Sequence, residues 1–259
     1  MDPLVLTECT LDRSDACHRI SLQRKPFNGL TPDFCDELTQ CIEQSSSDPT
    51  CRCLLLESDT ACFSVGADLK WAMAQRQQGL NGLGDLVNAM HRSILAIYSC
   101  PKPVVSLIAG AAAGGGLGLA LAADIRLATP QAKFRLAYPQ VGISVDGGAS
   151  FRISQLIGLG RVQSLLYADR DLSAEQALEW GLIHELIEQP SQLEAWIERL
   201  KSGPTLAWAK SKFLLNDPQW VAKQLAKEAA QIESLAESPD TWSGVQAFLE
   251  KRQPTFVGQ

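Results

Sequence analysis

Residues 104–123 read VVSLIAGAAAGGGLGLALAA, and the way this run divides decides the fold. It approaches the roughly 20 apolar residues that a membrane span requires. It is, however, crowded with glycine and alanine, contains Ser106, and runs directly into Asp124 and Arg126. We read it as a buried strand over Val104–Ile108, a turn at Gly110, and a buried helix opening at the glycines Gly114-Gly115-Gly116. No membrane association is expected. Consecutive glycines at a helix start let a ligand approach the backbone closely. They also aim free N–H groups and the positive helix end at negative charge.

Several readings compete for Gly110–Gly118. A P-loop is excluded because no Gly-Lys-Ser/Thr follows. A dinucleotide fingerprint fits poorly, since Leu121 stands where the third glycine belongs and no acidic residue follows about 20 positions on at a strand end. Tight helix packing remains open, beside an anion or oxyanion site.

Outward from this segment, short β-branched runs alternate with amphipathic helices, an α/β pattern. Strands are expected over His18–Gln23, Arg52–Glu57 and Asp124–Ala128. A helix opens at Thr31-Pro32, threonine as cap and proline at the first position, burying Phe34, Leu38, Cys41 and Ile42. Another covers Leu83–Tyr98. Ser173 and Gln176 form a capping box, and Gly181 stops that helix. Past Ser191 the chain reads as helices over Leu193–Leu200, Thr205–Leu215, Val221–Leu235 and Trp242–Arg252. The division is a body over residues 1–190 and a helical region over 191–259, too small for much core of its own and so packed on the body or on another subunit.

The chain has 259 residues, 46% hydrophobic and 20% charged, as in an ordinary globular protein. A net charge of −6 argues against a nucleic-acid partner. Met1-Asp2-Pro3 shows no charged-then-apolar leader pattern and leads into a strand-like run. All eight cysteines lie between Cys9 and Cys100. Only Cys51 and Cys53 are close, so zinc is unsupported and reduced cytoplasmic thiols are expected.

Gly66-Ala67-Asp68-Leu69-Lys70, the glycine run, Asp124-Ile125-Arg126 and Ala247-Phe248-Leu249-Glu250-Lys251-Arg252, together and in order, resemble the crotonase (enoyl-CoA hydratase/isomerase) superfamily. The resemblance covers nearly the whole chain. It implies an α/β fold, a spiral of ββα units with a helical C-terminal region that mediates trimers, often paired into hexamers. It implies an acyl-CoA thioester as partner and substrate, with the backbone N–H groups of Ala67 and Gly115 as an oxyanion hole. Losing one such donor costs about 3–4 kcal/mol of transition-state stabilisation. It further implies contacts to the thioester or its coenzyme A at Ala67, Asp68, Leu69, Lys70, Gly114 and Tyr138, and at Phe248 and Lys251 from a neighbouring subunit. Asp68 and Lys70 also read as a loop anchor and a solvent-facing charge. Neither metal nor redox cofactor is expected, because the thioester itself acidifies the α-proton.

The resemblance also bears on the reaction. Similar hydratases carry two glutamates, and alignment places them at Gly118 and Tyr138, so both carboxylates are missing here. Gly142-Ile143-Ser144-Val145-Asp146-Gly147-Gly148 instead looks like the isomerase branch, with Val145 where that branch has proline. The tail over Gly244–Phe256 adds likeness to ring-isomerising enzymes of aromatic catabolism. One carboxylate, Asp146, can take a proton from C2 of a 3-enoyl thioester and return it at C4. The plainer reading of Asp146 is a helix N-cap. His91, on the helix flanking the pocket, brings in a rival resemblance to 4-chlorobenzoyl-CoA dehalogenase, a hydrolytic mode with Asp146 as nucleophile and His91 activating water. The plainer reading of His91 is a structural or exposed histidine. A non-catalytic CoA-ester-binding protein is the third alternative. Leu86, Met90, Leu136 and Tyr138 are expected as pocket walls.

Overall fold

A computed structural model describes residues 4–259, so Met1-Asp2-Pro3 lie outside the described residues. The first elements are β1 (Leu4–Val5), β2 (Cys9–Asp12), β3 (Cys17–Leu22), β4 (Gly29–Leu30) and α1 (Pro32–Ser47), followed by β5 (Cys53–Ser58), β6 (Gly66–Ala67), α2 (Leu69–Gln77) and α3 (Gly82–Ser99). Next come β7 (Val104–Ile108), β8 (Ala111–Ala113), α4 (Gly115–Ala122), β9 (Ile125–Ala128), β10 (Lys133–Arg135), a 3₁₀ turn over Pro139–Val141, α5 (Ala149–Ile157) and α6 (Leu159–Ala168). The chain closes with β11 (Leu172–Ser173), α7 (Ala174–Glu179), β12 (Glu185–Leu186), α8 (Pro190–Ser202), α9 (Thr205–Leu215), α10 (Pro218–Ala236) and α11 (Pro239–Leu249).

The seven-stranded sheet runs β1-β2-β3-β5-β7-β9-β12, parallel from β3 onward. Its central strands are buried on both faces, which is why they read as nearly unbroken apolar runs. Leu54 and Leu56 of β5 join the core under α1, α3 and α4, while Cys53 and Leu55 point to the other face, covered by α8. A second series of short strands sits at the ends of the long ones. β4 pairs with β6, Ser64 bridges Ala112 of β8, and β8 pairs with β10. Each turn of the chain thus supplies a long strand, a short strand and a helix. This is the spiral of ββα units that the resemblance implies.

The run over Val104–Ala123 resolves into β7, β8 and α4, all of α4 buried. Among the described residues no helix is long and apolar enough to cross a membrane. Thr31 caps α1 through its Oγ1, and Ser173–Gln176 forms the capping box of α7, as expected. The late helices start earlier than their apolar spacing suggests, at Pro190, Pro218 and Pro239. Proline has its φ preset for the first helical position and lacks an N–H that would go unused there. The last helix ends at Leu249 rather than Arg252, because Lys251 takes a left-handed φ of 55°. The eight cysteines are unpaired, seven of them buried as small apolar side chains.

The C-terminal helices are tied into the body. Lys212 of α9 is buried and donates to the Ile97 carbonyl at the end of α3 (2.8 Å) and to Asp124 (2.7 Å). Asp124 also accepts the Val104 N–H at 2.9 Å, and buried Arg126 donates to the carbonyls of Leu182 and Ala123. The Asp124-Ile125-Arg126 motif is therefore architectural.

Candidate active site

The candidate site lies where the short strands of two successive units end. In the β4–β6 pairing Asp68 N–H donates to the Leu30 carbonyl at 2.9 Å, Val65 N–H goes to Phe27, and Gly66 N–H to Ser64 Oγ. Val65 and Asp68 thus both face β4 or its approach, and beside Gly66 lies the start of α4. There, Leu117 and Gly118 N–H close on the Gly114 carbonyl at 3.0 and 3.2 Å. Gly115 and Gly116 are left as the open first amides of the helix. The two backbones abut closely. A β-carbon at Gly66, whose φ is +84°, would lie 2.7 Å from the Ala113 carbonyl oxygen and 3.0 Å from Gly115 N. Glycine at 66 is thus required by both conformation and space.

Ala67 and Gly115 line one narrow cavity together with Asp146 and an apolar wall of Leu30, Leu83, Leu86, Val87, Met90, Tyr138, Ile143 and Ile232. Leu136 is absent from this wall. It lines a separate small void with Leu117, Phe134 and Ile153, and the residue after it, Ala137, takes a left-handed φ of 60°.

Asp146 is 3% exposed and does not act as a helix cap. The N-cap of α5 is Gly148, with φ 75° and no capping side chain of its own. The Asp146 Oδ1 instead meets His91 Nε2 at 2.7 Å, and His91 is buried on α3. The N-cap reading of Asp146 gives way to a hydrogen-bonded pair in which Asp146 lines the cavity and His91 is buried behind it rather than exposed. Tyr138 donates its hydroxyl to the Asp146 backbone carbonyl at 2.7 Å. Burial first, then the Asp146 carboxylate, push its phenol well above the ordinary value.

Glu228 of α10 was not foreseen. Its Oε2 accepts Gly148 N–H at 2.7 Å and its Oε1 accepts Ser150 N–H at 3.2 Å. It therefore caps α5 from another helix, a negative charge at the positive helix end. Oε2 also lies 3.9 Å from His91 Nε2. Burial lifts its carboxyl to about 7, against the two N–H bonds that favour the charged form. The donor atoms of His91, Asp146 and Glu228 all fall within 4.8 Å of one another, so these are the described residues that could converge on a metal ion. In the structure His91 is hydrogen-bonded to Asp146, and both Glu228 oxygens accept N–H groups.

A second unforeseen residue is Asn28, fully buried with a left-handed φ of 51°. Its amide donates to the Cys62 and Phe63 carbonyls, to Ser58 and to Thr60, fixing the loop that leads to Ala67. Ser64 supports the same loop through the Asn28 carbonyl.

The hydratase positions have physical occupants. A β-carbon at Gly118 would run into the carbonyl of Gly147, so the loop carrying Asp146 fills that space. Tyr138 spends its hydroxyl on the same loop. The other expected contact residues lie outside the cavity lining. Asp68 caps α2 and pairs with Arg24 at 2.9 Å, as a loop anchor should. Lys70 is exposed and Leu69 half-buried, while Phe248 and Lys251 are exposed near the end of α11. Gly114 supplies the carbonyl on which α4 starts, at φ 51°.

A family model described as enoyl-CoA hydratase/isomerase matches residues 12–259. A probable enoyl-CoA hydratase of Rhodobacter capsulatus is 34% identical, covering 98% of this chain and 95% of its own. The trans-2-decenoyl-[acyl-carrier-protein] isomerase of Streptococcus mutans is 33% identical over 90% of each chain. The 1,2-epoxyphenylacetyl-CoA isomerase of Escherichia coli is 31% identical, covering 90% of this chain and 91% of its own. Among solved structures, an enoyl-CoA hydratase from Mycobacterium avium subsp. paratuberculosis superposes with a TM-score of 0.87 at 28% identity, over 98% of this chain and 100% of that one.

Proposed function

Because the chain belongs to the enoyl-CoA hydratase/isomerase family, we propose that it moves a double bond along an enoyl thioester rather than adding water across it. The carrying observation is the pairing of one buried carboxylate, Asp146, with Ala67 and Gly115 around a single cavity, while the second glutamate's place at Gly118 is filled by backbone. Asp146 takes a proton from C2 of a 3-enoyl thioester and returns it at C4. Negative charge gathers meanwhile on the thioester oxygen, where the Ala67 and Gly115 N–H groups stabilise it in an apolar surrounding. The resemblance of the chain to two relatives named as isomerases supports this reading. No metal or redox group has a task in such a proton transfer. In the same reading Lys70, and Phe248 and Lys251 from a neighbouring copy in a trimer, hold the coenzyme A end.

The 2.7 Å bond between His91 and Asp146 favours a second reading. A carboxylate attack followed by histidine-activated hydrolysis needs the same two residues. Incubation with a 3-enoyl-CoA, followed by absorbance of the conjugated product and by thiol release, separates the readings. Migration of the double bond with no free coenzyme A is expected. Release of coenzyme A, or of halide from a halogenated aroyl-CoA, would transfer the assignment to the hydrolytic reading. Binding without turnover would leave a CoA-ester-binding protein.

A further inference from the structure

Asp146 faces an apolar cavity, and the described side chain hydrogen-bonded to its carboxylate is His91. Behind His91 stands Glu228, 3.9 Å from the same Nε2 and 5% exposed. Glu228 does not line the cavity. It lines a separate surface groove beside Ser144, Ser150, Gln224 and Lys227. The three groups thus connect the floor of the cavity to the outside of the molecule, across the packing of α10 on α3.

We propose that His91 and Glu228 form a proton relay through which Asp146 exchanges its proton with water in that groove. The relay rests on Asp146 being the acid/base of the proposed isomerisation. The proton taken from C2 sits on the Asp146 carboxyl and passes to His91 Nε2, leaving the carboxylate and an imidazolium. A tilt of the ring closes 3.9 Å to a hydrogen bond of about 2.9 Å. The imidazolium then gives its Nε2 proton to Glu228 Oε2, and Glu228 gives it to water in the groove. Reversal of these steps brings a solvent proton to Asp146, and no charge is left behind. A merely structural cap for α5 would serve best with a carboxyl ionised at every working pH. Burial instead holds that of Glu228 near 7, where it takes up and releases protons readily.

The test is isotopic and reads exchange at Asp146 against proton return within each turnover. Unlabelled 3-enoyl-CoA is converted in deuterated water, and deuterium per product molecule is read by mass spectrometry at low conversion. In the unmodified protein, deuterium enters the product at C4. Glu228→Gln lowers deuterium per turnover threefold or more, with kcat measured on the same preparation. His91→Asn lowers it equally while leaving the α5 cap in place, so the relay is still tested if Glu228→Gln fails to fold. Equal deuterium content in all three proteins, or none in the unmodified one, overturns the relay and leaves the isomerase reading standing. Absence of double-bond migration in the unmodified protein overturns both.

Discussion

The two halves of the site are built in opposite ways. One half is backbone: Ala67 at the end of a short strand and Gly115 at the start of a buried helix, each set by its own local stretch. The other half is side chains from α3, the loop before α5, and α10, gathered across 55 residues between His91 and Asp146 and 80 between Gly148 and Glu228. The backbone half needs small residues, because close approach is its whole requirement. The side-chain half needs distant helices to arrive in register, so its members carry no local signature. In the proposed reaction the division is also chemical, with one half holding charge and the other moving a proton.

The sharpest way to break that division is Asp146→Asn. Removing the carboxylate while keeping its size leaves charge stabilisation and ligand binding intact and takes away proton transfer. A fall in kcat of roughly 10³–10⁴ with little change in ligand affinity is expected, at the upper end of general acid–base contributions. Measured turnover within tenfold of the unmodified protein would make another group the base. The complementary change, Gly115→Pro, removes an N–H from the backbone half. Proline suits a first helical position, and a β-carbon at Gly115 would meet first the flexible Met90 side chain, at 2.5 Å from its sulfur. Loss of one oxyanion donor lowers kcat by about 10²–10³. A loss below threefold would show that the Gly115 amide holds no developing charge.

The same contrast explains what could be read before the fold was known. Gly66 and the Gly114–Gly116 run are visible because glycine is the residue that permits their φ angles and contacts. Asp146 was legible through its loop motif, yet on its own it is indistinguishable from a cap. What separates the two roles is that Glu228 caps α5 instead. Glu228 itself looks like one of several charges on a solvated helix. A fainter signal exists, for it falls on the stripe Val221, Leu225, Glu228, Ile232, whose members are all buried. A charge inside a buried stripe is a functional candidate. His91 interrupts the buried face of Val87, Ile94 and Tyr98 in the same way. Asn28 offered no such pattern, since its partners lie in a loop 30–35 residues on. Pocket walls were only partly legible. Leu86, Met90 and Tyr138 are correct, but Leu136 lines a separate small void, with the left-handed Ala137 after it.

Tyr138→Phe asks how firmly the side-chain half must be held. The hydroxyl donates to the Asp146 carbonyl, which otherwise accepts the Ala149 N–H at a longer 3.3 Å. Phenylalanine keeps the cavity wall and the ring volume. It leaves the carbonyl with that one weaker partner, at a cost of about 1–2 kcal/mol to stability. The Asp146 carboxylate is still oriented by His91, and its loop is still tied by Glu228 through Gly148. A fall in kcat of about tenfold with an unchanged KM is therefore expected, from an acid/base group slightly out of line. Thermal unfolding and steady-state kinetics on the same preparation check both numbers. A loss near that of Asp146→Asn would mean that the phenol itself delivers a proton, moving Tyr138 from support into the chemistry. No loss at all would mean that His91 and Glu228 fix the loop unaided, and the boundary of the side-chain half would be drawn one residue tighter.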